Sequence, residues 1–170
     1  MDRLGVEQLL SGQAPATCVK LIQRVRVRTA VALASENKKK LRKLFLALLD
    51  FARSSIARQD GDLSSHGLST VYALQRHLLE LANDFPEECE QYFSELLRKL
   101  SPNSSFSARE LAMLKLVTLL FPCTDFQHPV VTPATLLADH WASQLAQLGE
   151  GIEDLVSEGS MRPRPHHEIG

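Results

Sequence analysis

The tightest constraint on this chain is a period. From Leu41 the apolar side chains recur at Leu44, Phe45, Leu48, Leu49, Ala52 and Ile56. That is the spacing of one helix face at about 3.6 residues per turn. A second stripe runs through Val71, Leu74, Leu78, Leu81, Ala82 and Phe85, and a shorter third through Tyr92, Phe93, Leu96, Leu97 and Leu100. No stretch alternates apolar and polar residues long enough to make a half-buried strand. With 44% hydrophobic residues among 170, the chain can build a core. The expected fold is all-α.

Local chemistry places the boundaries. Pro15 suits the first turn of a helix running to Thr29, because its missing N–H would be unbonded there. Ser35 is positioned to cap the next helix, which should fade near Arg58, before Asp60-Gly61-Asp62. Pro86, followed by Glu87 and Glu88, opens another helix with negative charge at the positive end of its dipole. Ser101 to Ser105 is a turn-rich break, and Ser107 with Glu110 has capping-box spacing. The helix that follows is apolar around almost its whole circumference, from Leu111 to Phe121, which predicts a central, covered position. Pro122 and Pro129 bound a connector from Cys123 to Val131. Thr132 and Pro133 then read as a cap and a first-turn proline, starting a helix through Leu136, Leu137, Trp141, Leu145 and Leu148. Trp141 falls in phase with that stripe, as core or inter-repeat packing would require.

Residues 1–148 thus read as one helical segment, and residues 149–170, with their glycines, acids and a Pro/Arg/His-rich end, as a tail without fixed structure. About seven helices on short connectors suggest an irregular array of the HEAT or armadillo kind, in which each pair buries its face on its neighbours. An irregular helical bundle is the alternative, since no exact repeat is present.

Charge is distributed unevenly. Between Val19 and Arg58 there are eleven Lys or Arg residues against Glu36 and Asp50 alone, whereas seven basic and sixteen acidic residues follow from Gln59 onward. Lys38, Lys39, Lys40, Arg42, Lys43 and Arg53 form a candidate basic face for RNA or a protein partner, since such a cluster can neutralise phosphates. A solvated helix face accounts for them equally well. No aromatic residues interleave with these charges to stack bases.

The residues of catalysis and metal binding are present without their constellations. The six histidines show no standard ligand spacing: His66 and His77 lack an acidic or thiol companion at that spacing, and His166 and His167 lie in the tail. Cys123 near Asp125 and His128 superficially resembles nucleophile chemistry but lacks an evident oxyanion hole. No glycine-rich phosphate loop is found. The expectation is a non-enzyme with no metal and no cofactor. Cys18, Cys89 and Cys123 are odd in number and widely spaced, reading as reduced thiols of a cytosolic or nuclear protein. No apolar run approaches the roughly 18–20 residues of a membrane span, nor do the first thirty residues show the pattern of a secretory signal.

One stretch adds a resemblance. Leu119-Leu120-Phe121-Pro122-Cys123-Thr124-Asp125-Phe126-Gln127-His128-Pro129-Val130-Val131-Thr132-Pro133-Ala134 closely resembles the signature of the nucleolar protein fourteen family. The positions that carry it are Phe121, Pro122, Asp125, His128, Pro129, Val130, Val131, Thr132 and Pro133. Glu36-Asn37-Lys38-Lys39-Lys40-Leu41, continuing through Leu44-Phe45 and Leu48-Leu49, resembles the family's Asn-Lys-rich helix. Gly5 to Gly12 and Leu78 to Glu87 resemble two further segments, so the likeness covers Leu4 to Leu148. The resemblance implies a helical-repeat scaffold of the small-subunit processome, within the 90S pre-ribosome of the nucleolus, where pre-rRNA is processed toward 18S rRNA. It also implies partners: a second nucleolar helical-repeat protein, the rRNA pseudouridine methyltransferase, and pre-rRNA or snoRNA, contacted directly or indirectly, with no membrane. Family members are several times longer, with a charged arm before this region and further helices after it. The expectation is a partial-length member whose Leu136, Trp141 or Leu145 is left uncovered where the array stops.

Overall fold

The chain's structure, a computed structural model, describes residues 3–30, 34–56, 63–100, 107–121 and 128–159. Seven helices occur among them: α1 (Arg3–Leu10), α2 (Pro15–Arg28), α3 (Asn37–Ile56), α4 (Ser65–Asp84), α5 (Pro86–Lys99), α6 (Ala108–Leu120) and α7 (Val131–Gly159). Every regular element among the described residues is helical. The breaks expected at Arg58, Asp60 to Asp62, Ser101 to Ser105 and Pro122 to Gln127 lie outside the described residues, as does the end of the tail from residue 160.

Most helix ends follow their local chemistry. Pro15 opens α2 and Pro86 opens α5, which carries Glu87 and Glu88 in its first turn and Arg98 and Lys99 in its last; both charge sets favour the dipole. Ser64 caps α4, its hydroxyl accepting from the Gly67 amide at 3.0 Å. The Ser107–Glu110 capping box is present in full. Two starts are displaced. Ser35 stands in a turn two residues ahead of α3; the helix begins instead at Asn37, a buried residue whose Nδ2 donates to the Ala30 carbonyl at 3.0 Å. A carbonyl left free beyond the end of α2 is thereby satisfied. Helix α7 begins at Val131, one residue before the expected cap, placing Thr132 and Pro133 inside its first turn.

Helix α3 is the centre of the packing, with α1, α4, α5 and α6 all against it. Leu44, Phe45, Leu48, Leu49, Ala52 and Ile56 are essentially inaccessible, and Phe45 stacks on Phe85 with ring centroids 6.3 Å apart. Helix α6 is covered on three sides, by α3, α4 and α7, as its all-round apolar surface requires, but it flanks the centre rather than forming it. Its 13 residues are too few to be shared by as many neighbours as the 20 of α3. Gly67 explains how closely α4 crosses α3. A Cβ at this position would lie 1.9 Å from the Ser55 carbonyl oxygen, so any side chain would push the two helices apart.

Helix α7 is the longest of the seven. Helix α7 runs past position 149, through Gly149 and Gly151, to Gly159. A single helical glycine costs only about 1 kcal/mol, and the Glu, Ile and Leu residues around these glycines are competent helix formers. Along α7, Ala134, Leu137 and Trp141 are buried, whereas Leu136 and Leu145 are 65% and 53% exposed. Trp141 is therefore an interior residue, and the uncovered surface expected here falls to Leu136 and Leu145.

Candidate nucleic-acid interface

The apolar arc of α3 faces the core, which leaves Lys38, Lys39, Lys40, Arg42 and Lys43 exposed on its first two turns. Arg42 is engaged: its Nε lies 3.0 Å from Glu88 Oε1 on α5. Both groups are solvated, so the pair orients more than it stabilises. Among the described residues, Lys38, Lys39, Lys40 and Lys43 form no ion pair. Four adjacent ammonium groups repel one another, and three of them stand where the helix dipole is already positive. An approaching polyanion would relieve both penalties.

Arg53 leaves this group. It lies in the last turn of α3, half-buried, with an enclosed Nε, against Tyr92 of α5. The Tyr92 hydroxyl donates to Asp50 Oδ1 at 2.8 Å. Burial, reinforced by the Asp50 carboxylate, pushes that hydroxyl well above the usual tyrosine range. Helical spacing placed Arg53 beside the lysines, but α5 covers that end of the face.

A second polar cluster joins α2 to α4. Arg26 Nη1 donates to His77 Nδ1 at 2.9 Å and also to the Glu80 carboxylate, while Arg76 Nε donates to Glu80 Oε1 at 2.9 Å. With Nδ1 accepting, the neutral imidazole carries its proton on Nε2. Burial and the adjacent Arg26 charge pull the His77 pKa down. Hydrogen bonds from Arg26 and Arg76 hold the Glu80 carboxyl at about 2. The cluster lines an open groove of about 560 Å³ together with Val19, Gln23, Leu41 and Asp84. Sequence spacing missed it because Arg26 and His77 are 51 residues apart; the local signals were Glu80, three residues after His77, and Arg76, four residues before Glu80. His66 is exposed in the first turn of α4 and takes no part.

The signature residues meet at the start of α7. His128 Nδ1 accepts from the amides of Val130 at 3.1 Å and Val131 at 3.3 Å, so the imidazole does the capping expected of Thr132. The His128 ring lies edge-on to Phe121 at 5.0 Å, and Phe121 is edge-on to Phe93 at 5.6 Å. Val130 is fully buried. These residues seat α7 on α5 and α6. Pro122 and Asp125 lie outside the described residues, as does Cys123.

Burial raises the thiol pKa of Cys18, and that of Cys89 to about 12, the reverse of what an activated nucleophile needs. Among the described residues no three His, Cys, Asp or Glu side chains are grouped to hold a metal, and no helix is long and apolar enough to cross a membrane.

Comparison with known proteins comes down on one family. Residues 6–149 match the Nop14-like family. The chain is 34% identical over 142 residues to nucleolar protein 14 of Mus musculus, covering 75% of this chain and 16% of that protein. It is 32% identical over 143 residues to nucleolar protein 14 of Homo sapiens, covering 76% and 16%. The nucleolar protein 14 homolog of Drosophila melanogaster is 27% identical over 148 residues, covering 81% and 17%. The chain thus spans about a sixth of the length of the relatives it matches. No solved structure matches it.

Proposed function

The chain belongs to the Nop14-like family, and on that premise we propose that it acts in the nucleolus as a non-catalytic scaffold segment of small-subunit ribosome assembly. The observation that carries this reading is the coincidence of the family match over residues 6–149 with a helical body built for packing. Its signature residues seat a helix, and its buried thiols are poorly suited to act as nucleophiles. In this role the segment works as part of an irregular helical-repeat array within the small-subunit processome. The partners are pre-rRNA or snoRNA, a second helical-repeat protein and the pseudouridine methyltransferase. The unpaired lysines of α3 supply the contact to RNA.

The test is incorporation. A tagged chain should enrich in nucleoli and co-sediment with particles that contain the small-subunit rRNA precursor. A chain that stays diffuse and never enriches that precursor defeats the proposal. A second reading, a helical adaptor without RNA, is favoured by the exposed Leu136 and Leu145. Pre-ribosomal incorporation that survives replacement of Lys38, Lys39, Lys40 and Lys43 by Glu would support that adaptor reading over an RNA contact on α3.

A further inference from the structure

The basic face read from the sequence stops at α3, but the cations do not. Lys20, Arg24 and Arg28 recur every four residues on α2, and all three are exposed. Among the described residues none of the three forms an ion pair. Arg26, on the other side of the same helix, is the arginine spent on His77 and Glu80. Arg28 alone has a local reason for its place, near the negative end of the α2 dipole; Lys20 and Arg24 have none.

The helix ends that carry the two cation runs are tied together. The Asn37 side chain holds the Ala30 carbonyl at 3.0 Å, and this bond ties the end of α2, two residues after Arg28, to the start of α3, one residue before Lys38. From Val19 to Ile56 the acidic residues are Glu36, in the turn between the runs, and Asp50, which is engaged by Tyr92. Among the described residues, seven cations without an ion pair therefore lie along two helices, with Glu36 the one carboxylate between the runs.

We propose that Lys20, Arg24 and Arg28 form a second arm of the α3 surface, and that the two arms together track the phosphate backbone of base-paired RNA. This rests on the reading that α3 contacts RNA. At 1.5 Å rise per residue, side chains four apart are spaced by about 6 Å, comparable to the step between successive phosphates on a strand. No aromatic side chain lies on either arm among the described residues, so there is no platform on which unpaired bases could stack. Backbone and shape contacts are how paired RNA is recognised.

The experiment uses the full 170-residue chain and a base-paired RNA hairpin, with binding measured across a salt series. Replacing Lys20, Arg24 and Arg28 together by Gln should weaken hairpin binding and reduce the slope of log affinity against log salt by about 2–3, since each lost phosphate contact removes about 1. The quadruple Lys38, Lys39, Lys40 and Lys43 to Gln variant should reduce it comparably. Replacing Arg98 and Lys99, exposed at the far end of α5, should leave it unchanged. Helix content by circular dichroism confirms that each variant is folded. An unaltered slope in the α2 variant beside a reduced one in the α3 variant overturns the second arm and leaves the α3 contact standing. Equal affinity for single-stranded RNA of the same length overturns the base-paired assignment. Tighter binding to an acidic polypeptide than to the hairpin overturns the RNA assignment altogether.

Discussion

Helices α3 and α7 start from similar material and finish in different surroundings. Each carries a leucine-rich stripe at helical spacing. In α3 the stripe is covered along its length by α1, α4, α5 and α6, and the exposed remainder is cationic. In α7 the stripe of Ala134, Leu137, Trp141 and Leu145 is covered only as far as Trp141. Length accounts for the difference. The 29 residues of α7 extend about 44 Å, whereas the 13 of α6 beneath it extend about 20 Å. Helix α7 therefore overruns its support, and Leu145 meets water. A periodic stripe specifies a helix with something to bury; whether it is buried depends on how far the neighbours reach.

Four measurements press on this contrast. The largest effect belongs to the covered helix. Phe45→Ala removes a ring packed at the centre of α3, and urea denaturation should show a loss of about 3–5 kcal/mol. A loss near zero would mean that α3 is not the centre. Next comes the seat of α7. His128→Ala strips the acceptor from two amides and should cost about 1 kcal/mol, with faster hydrogen exchange at Val130 and Val131. His128→Asn, which restores a short acceptor, should recover part of that loss.

The third concerns the clamp that holds α2 to α4, and so the layer over α3. The folded-state pKa of His77 lies below its ordinary value of 6.5. Its contribution is complete above that pH and is lost as pH falls through the lowered folded value, because the unfolded chain binds the proton more readily. Glu80 acts in the same direction lower down, between 4.5 and about 2. Denaturation midpoints should therefore decline on acidification below about pH 6.5. His77→Gln should flatten the upper part of that decline and leave the Glu80 part. The smallest effect belongs to the overhang. Leu136→Lys with Leu145→Lys should change stability by no more than about 0.5 kcal/mol, while reducing any self-association seen by analytical ultracentrifugation. A loss approaching that of Phe45→Ala would show that this face is covered after all.

The sequence by itself determined the helices. Pro15, Pro86, Ser107 with Glu110, and the stripes of α3, α4 and α5 depend on interactions within three or four residues along the chain, which spacing reveals directly. The same locality made Trp141 legible as an interior residue and Lys38 to Lys43 as an exposed group. The tertiary structure decided what each face meets. Arg53 shares the helical phase of the lysines, yet α5 takes it out of reach. Arg26 and His77, 51 residues apart, join only because α2 crosses α4. Asn37 replaces Ser35 at the start of α3 because the Ala30 carbonyl is within reach. His128 replaces Thr132 as the cap because its ring is held by Phe121. In each case the deciding partner comes from a separate segment or a turn geometry that no periodicity encodes.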